Sequence, residues 1–385
     1  MPRPLLRRLR LWAVAGWGVA AFVAWGADVA ANVGAVRLIG VRALPARSVA
    51  HGAVVGGLSA IDYDVAADRW LAASDDKAEF GPARIFSVRL DYDATALRAV
   101  AIEGVTVLRQ PDGSAYPDKP HFLADRRGDV PDIEAVRLDP HDGSIWYASE
   151  GDRALGLNPF VRRASRDGTF FSTVPLPPGH AFAPDGRPGV RPNLAMEGIA
   201  FTADGDGVWL ALEAPGFGDG PLASARAGAL TRFTRIDRRG RRQAQYAYPL
   251  DPWRLPPAKD RLADNGVAEI LAQPDGGLLV LERSGAQDGA GAWHYAVRLY
   301  AADFTAATDV GAVPSLVAAH VRPATKRLVF EFTAPAGRSV DNLEGLAWGR
   351  RLPNGHATLV VVSDDNFSLA QETQFWVFEV FPLSP

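Results

Sequence analysis

Five times along this 385-residue chain, a short apolar strand, a polar turn and a second apolar strand recur in the same order. Residues 57–64 lead to 70–76, 132–139 to 145–152, 196–202 to 208–213, 266–272 to 278–283, and 342–348 to 358–366. The turns carry Asp142-Gly143, Asp204-Gly205, Asp275-Gly276 and Asn354-Gly355, the chemistry of tight hairpins. A repeated unit constrains a fold more than local propensity does, because no unit buries its apolar face alone and each must stack on the next.

Aligned on Ser59, Glu134, Glu197, Ala268 and Glu344, the units lie roughly 70 residues apart, with room for two further strands each. Apolar runs at 84–90 and 97–108, 160–165 and 169–174, and 230–237 and 243–250 supply those strands. The pattern predicts an all-β propeller of four-stranded blades. The last repeat runs out after 375–381 with three strands, so residues 35–44 are expected to add the fourth and close the ring. The count is five blades, with a sixth open if the stretch 301–326 hides strands. A β-sandwich plus a second domain is the competing architecture. Met196, Trp70, Trp146, Trp209 and Trp348 read as packing between blades.

The N-terminus is of another kind. Arg3, Arg7, Arg8 and Arg10 precede an apolar run over 11–27, and small residues follow at Val29, Ala30 and Ala31. That describes a secretory signal cut near Ala31. The run is also at the lower limit of a membrane span, so a retained anchor is the alternative. Residues 1–31 are read as signal or anchor and 32–385 as a single domain. The expected location is periplasmic or secreted, or anchored and facing the periplasm. The protein has no cysteine, which excludes disulfides, thiolate metal sites and a cysteine nucleophile. The formal charge is −3, and residues 1–31 hold four arginines and one aspartate, leaving a body of −6. That balance argues against a nucleic-acid partner. A monomer is expected.

With first strands starting at the "top", the connections at the top are long (109–131, 175–195, 214–228, 251–265, 284–292, 366–374) and most at the bottom are short. The stretch 301–326 is a bottom-side exception. Long loops on a rigid scaffold are where function concentrates. First strands begin there with Glu134, Glu197 and Glu344, preceded by Asp132 and by Asp341-Asn342. Second strands end there with Asp75-Asp76-Lys77, Glu150-Gly151-Asp152-Arg153, Glu213, Glu282-Arg283 and Asp364-Asp365-Asn366. Antiparallel pairing should bring Glu134 to Glu150, Glu197 to Glu213 and Glu344 to Asp364.

Asp75, Asp76, Glu150, Glu213, Asn342, Asp364 and Asp365 are therefore candidate ligands for Ca²⁺, which takes 6–8 oxygens. Glu134, Glu197 and Glu344 are candidate catalytic carboxylates, with His121, in a top loop, as a candidate general acid. Lys77, Arg153 and Arg283 are candidate contacts for an anionic substrate. Charged strand ends also occur as plain caps or solvated surface. Neither a G-x-S-x-G elbow, an H-E-x-x-H pair nor a phosphate-binding glycine loop is present.

The pieces Gly57-Leu58-Ser59, Asp132-Ile133-Glu134-Ala135, Glu197-Gly198-Ile199, Asp341-Asn342-Leu343-Glu344-Gly345 and Ser363-Asp364-Asp365-Asn366 resemble the phytase-like family, "esterase-like activity of phytase", over about 55–380. The resemblance implies an exported propeller, calcium-dependent in its use of the matched acids, acting on phosphate monoesters or related esters. The fourth repeat departs from it, with Ala268-Glu269 in place of Glu-Gly. A non-catalytic ligand- or protein-binding propeller of the cell envelope and a lactonase-type metal-dependent propeller are the other readings.

Overall fold

The computed structural model describes residues 32–183, 189–317 and 320–383, so the N-terminal signal or anchor lies outside the described residues. Five four-stranded antiparallel sheets form a five-bladed propeller. Blade 1 is Leu58–Asp64, Arg69–Ser74, Arg84–Tyr92 and Leu97–Val107. Blade 2 is Ile133–Leu138, Ile145–Ser149, Phe160–Ala164 and Phe170–Val174. Blade 3 is Met196–Phe201, Gly207–Leu212, Ala229–Asp237 and Arg242–Leu250. Blade 4 is Ala263–Ala272, Leu278–Gln287, Trp293–Asp303 and Thr325–Glu331. Blade 5 is Asn342–Gly349, Thr358–Asp364 and Thr373–Pro382, and its outer strand is Val33–Leu44 from the other end of the chain.

The first strands touch one another in order around the axis, the fifth returning to the first. Between each pair of neighbouring blades lies one apolar core, which is why the repeat has to be stacked to fold. Leu58, Ile61, Trp70 and Phe86 of blade 1 meet Val360, Val362 and Phe375 of blade 5. Trp146, Val161, Met196 and Ile199 fill the gap between blades 2 and 3. Trp209, Phe233 and Tyr248 face Ile270 and Val280 of blade 4. Each such large side chain, once fully buried, contributes about 1.5–3 kcal/mol. Trp348 is half-buried and donates from Nε1 to Ala272 O at 3.1 Å.

The ring is latched where the chain's two ends meet. Val33–Leu44 pairs with Thr373–Pro382 along its length. Arg37 Nε donates to Glu379 at 3.0 Å, and Val33 N donates to Gln273 of blade 4 at 3.1 Å.

The long bottom connection does not make a sixth blade. It folds back on the outer strand of blade 3, where Val310 N donates to Gln245 O at 2.7 Å and Ala324 N to Ala247 O at 2.9 Å. Val310 and Leu316 pack on Ala247. An otherwise open strand edge is covered in this way. The helix Lys119–Asp125 was not anticipated; Asp118 caps its N-terminus and a proline stands in its first turn.

Candidate functional site

All five innermost hairpins break register at one place. The pairing skips Ser59, Glu134, Glu197, Ala268 and Glu344, the position on which the repeats align. A bulge bends its strand and re-aims the extra residue. Three of the five bulge residues are glutamates, so Glu134, Glu197 and Glu344 turn toward one another at the top of the channel, all at least nine-tenths buried. The next residue is small in four blades (Ala60, Ala135, Gly198, Gly345), since the inner strands crowd there. A Cβ on Gly345 would fall 3.0 Å from the backbone of Ala60.

In blade 4 the acid stands one residue later, at Glu269, and turns into the channel among the inner strands. Glu269 is 0 % exposed and lies 2.9 Å from the guanidinium of Arg137, itself 3 % exposed. Arg137 also donates to the carbonyls of Ile61, Val136, Ile270 and Leu346 at 2.7–3.2 Å, joining the inner strands of blades 1, 2, 4 and 5. Burial pushes the Glu269 carboxyl up to about 8 despite Arg137. This pair plugs the channel, so the acidic mouth has a floor. Sequence reading missed it, because Arg137 and Glu269 come from different repeats.

Second-strand ends, and Asp132 just before the first strand of blade 2, complete the mouth. Asp75, Asp132, Glu150, Glu213 and Asp364 join the three bulge glutamates. The expected pairs do meet: Glu134 and Glu150 lie within one group, Glu197 interacts with Glu213, and Glu344 with Asp364. Two groups of oxygens fall within 4.8 Å of one another, Asp75–Glu134–Glu344 and Asp132–Glu134–Glu150, with Glu134 in both. Burial, then mutual repulsion, holds Asp75, Glu134, Glu150, Glu197 and Asp364 well above the usual carboxylate range. Burial pushes Glu213 up to about 8 against the attraction of Arg283.

Two cations answer these acids. The Lys77 ammonium pairs with Asp132. Burial opposes its charge, but Asp132, Glu134 and Glu150 outweigh that and raise it. Arg283 contacts Glu344 and donates to Glu213 at 3.1 Å and to Asn342 at 2.9 Å. Asn342 in turn donates to Glu344 at 2.9 Å and Asp364 at 3.1 Å.

The remaining candidates sit apart. Asp76 pairs with buried Arg84 and accepts from Ala78 N at 2.7 Å. Asp365 accepts from Gly57 N at 2.9 Å, Phe367 N at 3.0 Å and Thr373 Oγ1 at 3.1 Å, tying blade 5 to blade 1. In both Asp-Asp pairs the first acid faces the channel and the second fastens the turn. Arg153 is half-buried, its guanidinium 6.0 Å from the Phe217 ring, and among the described residues no carboxylate pairs with it. His121 is exposed on the short helix, its Nδ1 2.6 Å from Asp118.

The donors are all oxygens, crowded and with few internal counter-charges, which fits a hard divalent cation such as Ca²⁺.

No curated protein matches the chain. Among solved structures it is similar to a hypothetical protein from Leishmania major, at 10 % identity and a TM-score of 0.41, covering 89 % of this chain and 92 % of that one. It is also similar to the β-propeller domain of Cps50 (Swd1) from Myceliophteria thermophila, at 11 % identity and a TM-score of 0.34, covering 85 % and 97 %. The family model described as "Phytase-like: Esterase-like activity of phytase" matches residues 53–367, and the chain belongs to that family.

Proposed function

We propose that this propeller hydrolyses phosphate monoesters or related esters at the acidic mouth of its channel, with Ca²⁺ held there. The observation that carries the reading is the convergence of eight carboxylates on one spot, seven of them buried and Asp75 half-buried, with Lys77 and Arg283 as the cations among them. Burying that many like charges is costly unless protons or a metal ion offset them. Asp75, Glu134 and Glu344 would hold the ion, assisted by Asp364.

A bound cation supplies polarisation of a phosphoryl or acyl oxygen and neutralises developing charge. The chain's own residues do the rest. Arg153, outside the acidic mouth and with no carboxylate partner among the described residues, would attract an anionic group toward it. Glu197, whose hold on a proton is strengthened by burial and then by Glu213, supplies a proton to a leaving alkoxide. The Arg137–Glu269 floor blocks access from below. Residues 1–31 are the basis for placing this chemistry outside the cytoplasm.

The test is metal analysis of the purified protein, then phosphate release from several monoesters with and without chelator, beside Glu344→Gln. Chelator-sensitive turnover that falls at least tenfold in the variant supports the reading. Metal uptake without turnover of any ester leaves a ligand-binding propeller, and neither uptake nor turnover refutes the proposal outright.

A further inference from the structure

The two carboxylate groups at the mouth share Glu134 but differ in what faces them. Oxygens on one Ca²⁺ lie 2.3–2.6 Å from it, so two of them stand at most about 5 Å apart. Both groups, with ligand atoms within 4.8 Å, have that span. At Asp132–Glu134–Glu150 a cation is already in place: the Lys77 ammonium touches Asp132 and interacts with Glu134 and Glu150. The other group has a cation on one member only: Arg283 contacts Glu344 at Oε1 and is shared there with Glu213 and Asn342. Asp75 in that group receives no hydrogen bond from a protein donor among the described residues, and of its neighbouring charges Asp364, Asp132 and Glu344 oppose it more than Lys77 favours it.

The turn that carries Lys77 occurs twice in the molecule, which supplies an internal control. Ser74-Asp75-Asp76-Lys77 in blade 1 and Ser363-Asp364-Asp365-Asn366 in blade 5 both end a second strand. Lys77 has φ 50° and Asn366 has φ 47°, and each is followed by another left-handed residue, Ala78 at 60° and Phe367 at 49°. In each copy the second aspartate accepts from the backbone N–H two residues on, at 2.7 Å in blade 1 and 3.0 Å in blade 5. Asparagine suits a left-handed position better than lysine does. The turn therefore does not need an ammonium group, and blade 1 has one in a conformation that disfavours it.

We propose that Lys77 is a tethered cation that fills the Asp132–Glu134–Glu150 seat and so restricts the mouth to one divalent ion, at Asp75–Glu134–Glu344. An ammonium in contact with Asp132 and a divalent ion on the same three carboxylates repel each other at short range, so the seat holds one or the other. This inference rests on the metal-assisted reading above and adds a stoichiometry to it. Lys77 on this view is a positioning residue: it fixes Glu134 as a ligand of one ion and prevents it from bridging two.

The experiment counts Ca²⁺ bound to the purified full chain after chelation and dialysis, by calorimetric titration with CaCl₂ and elemental analysis. The wild-type chain is expected to take up one ion. Lys77→Asn, which copies the blade 5 turn, and Lys77→Gly, which also suits the positive φ, are expected to take up two. Lys77→Arg, which keeps the charge, is expected to stay at one. Circular dichroism melting identifies the variants that fold, and either neutral variant suffices. One ion in the wild type and still one in a folded neutral variant overturns the role of Lys77 while leaving the metal-assisted reading intact. Two ions in the wild type also overturn it. No uptake by any of the proteins overturns both.

Discussion

Replacing a buried charged residue usually destabilises a protein, yet Glu213→Gln should stabilise this one when metal is absent, and increasingly so as pH rises. Glu213 ends the second strand of blade 3, 3 % exposed, with its backbone N–H bonded to Ala195 O at 2.8 Å and its carboxyl 3.1 Å from Arg283. Burial outweighs Arg283 and lifts the carboxyl from 4.5 to about 8. The folded state thus keeps a proton that the unfolded chain releases above its own pKa. Stability from this group is intact below about 4.5 and is lost as pH climbs toward about 8.

At 1.36 kcal/mol per pKa unit, the penalty is about 1 kcal/mol at pH 5, about 3 at pH 7 and about 4 at pH 8. Glutamine matches the shape of the protonated acid and carries none of that cost. With an unfolding entropy of about 2 cal/mol/K per residue and roughly 350 folded residues, 3 kcal/mol corresponds to about 4 °C in Tm. The assay is thermal melting of the chelated wild type and variant at pH 5, 6, 7 and 8. A variant that melts below the wild type at pH 8, or a difference that does not grow with pH, refutes the account of the mouth as a repulsive, proton-holding cluster.

Two further predictions concern the frame. Arg137→Met leaves Glu269 buried without its partner and should cost about 3–5 kcal/mol in urea unfolding, with part recovered when Glu269→Gln is added. A double variant no more stable than Arg137→Met would mean that the loss comes from the strand carbonyls alone. Asp365→Ala strands the buried N–H groups of Gly57 and Phe367. It should cost at least about 2 kcal/mol, read by denaturant titration at constant m-value, with Asp365→Asn recovering part of it.

Much of the architecture was legible because it repeats. Hairpin turns, alternating apolar strands and a missing fourth strand at the C-terminal end are one-dimensional signals, and they placed five blades and the closing strand at 35–44 within a few residues of Val33–Leu44. The open sixth blade arose because residues 304–324 carry no strand pattern of their own; their partner is the outer edge of blade 3, at Gln245 and Ala247. At the mouth, composition at strand ends identified the acids but not which of two adjacent ones faces inward. Asp75 and Asp76 have the same chemistry. Asp76 turns away because buried Arg84 lies on its side of the turn.

The sequence alone thus points to the ring: a strand–turn–strand unit repeated five times must stack to bury its apolar faces, and a last repeat short of one strand calls for the strand at 35–44. What only the tertiary structure decides is the chemistry at the axis. The bulge that aims Glu134, Glu197 and Glu344 inward stands where the inner strands come close together at the axis. The one-residue displacement of the acid in blade 4 becomes meaningful when Arg137, two blades away, meets Glu269 within the channel. Charges from separate repeats acquire shifted affinities for protons and metal only when the closing of the ring forces them out of water together.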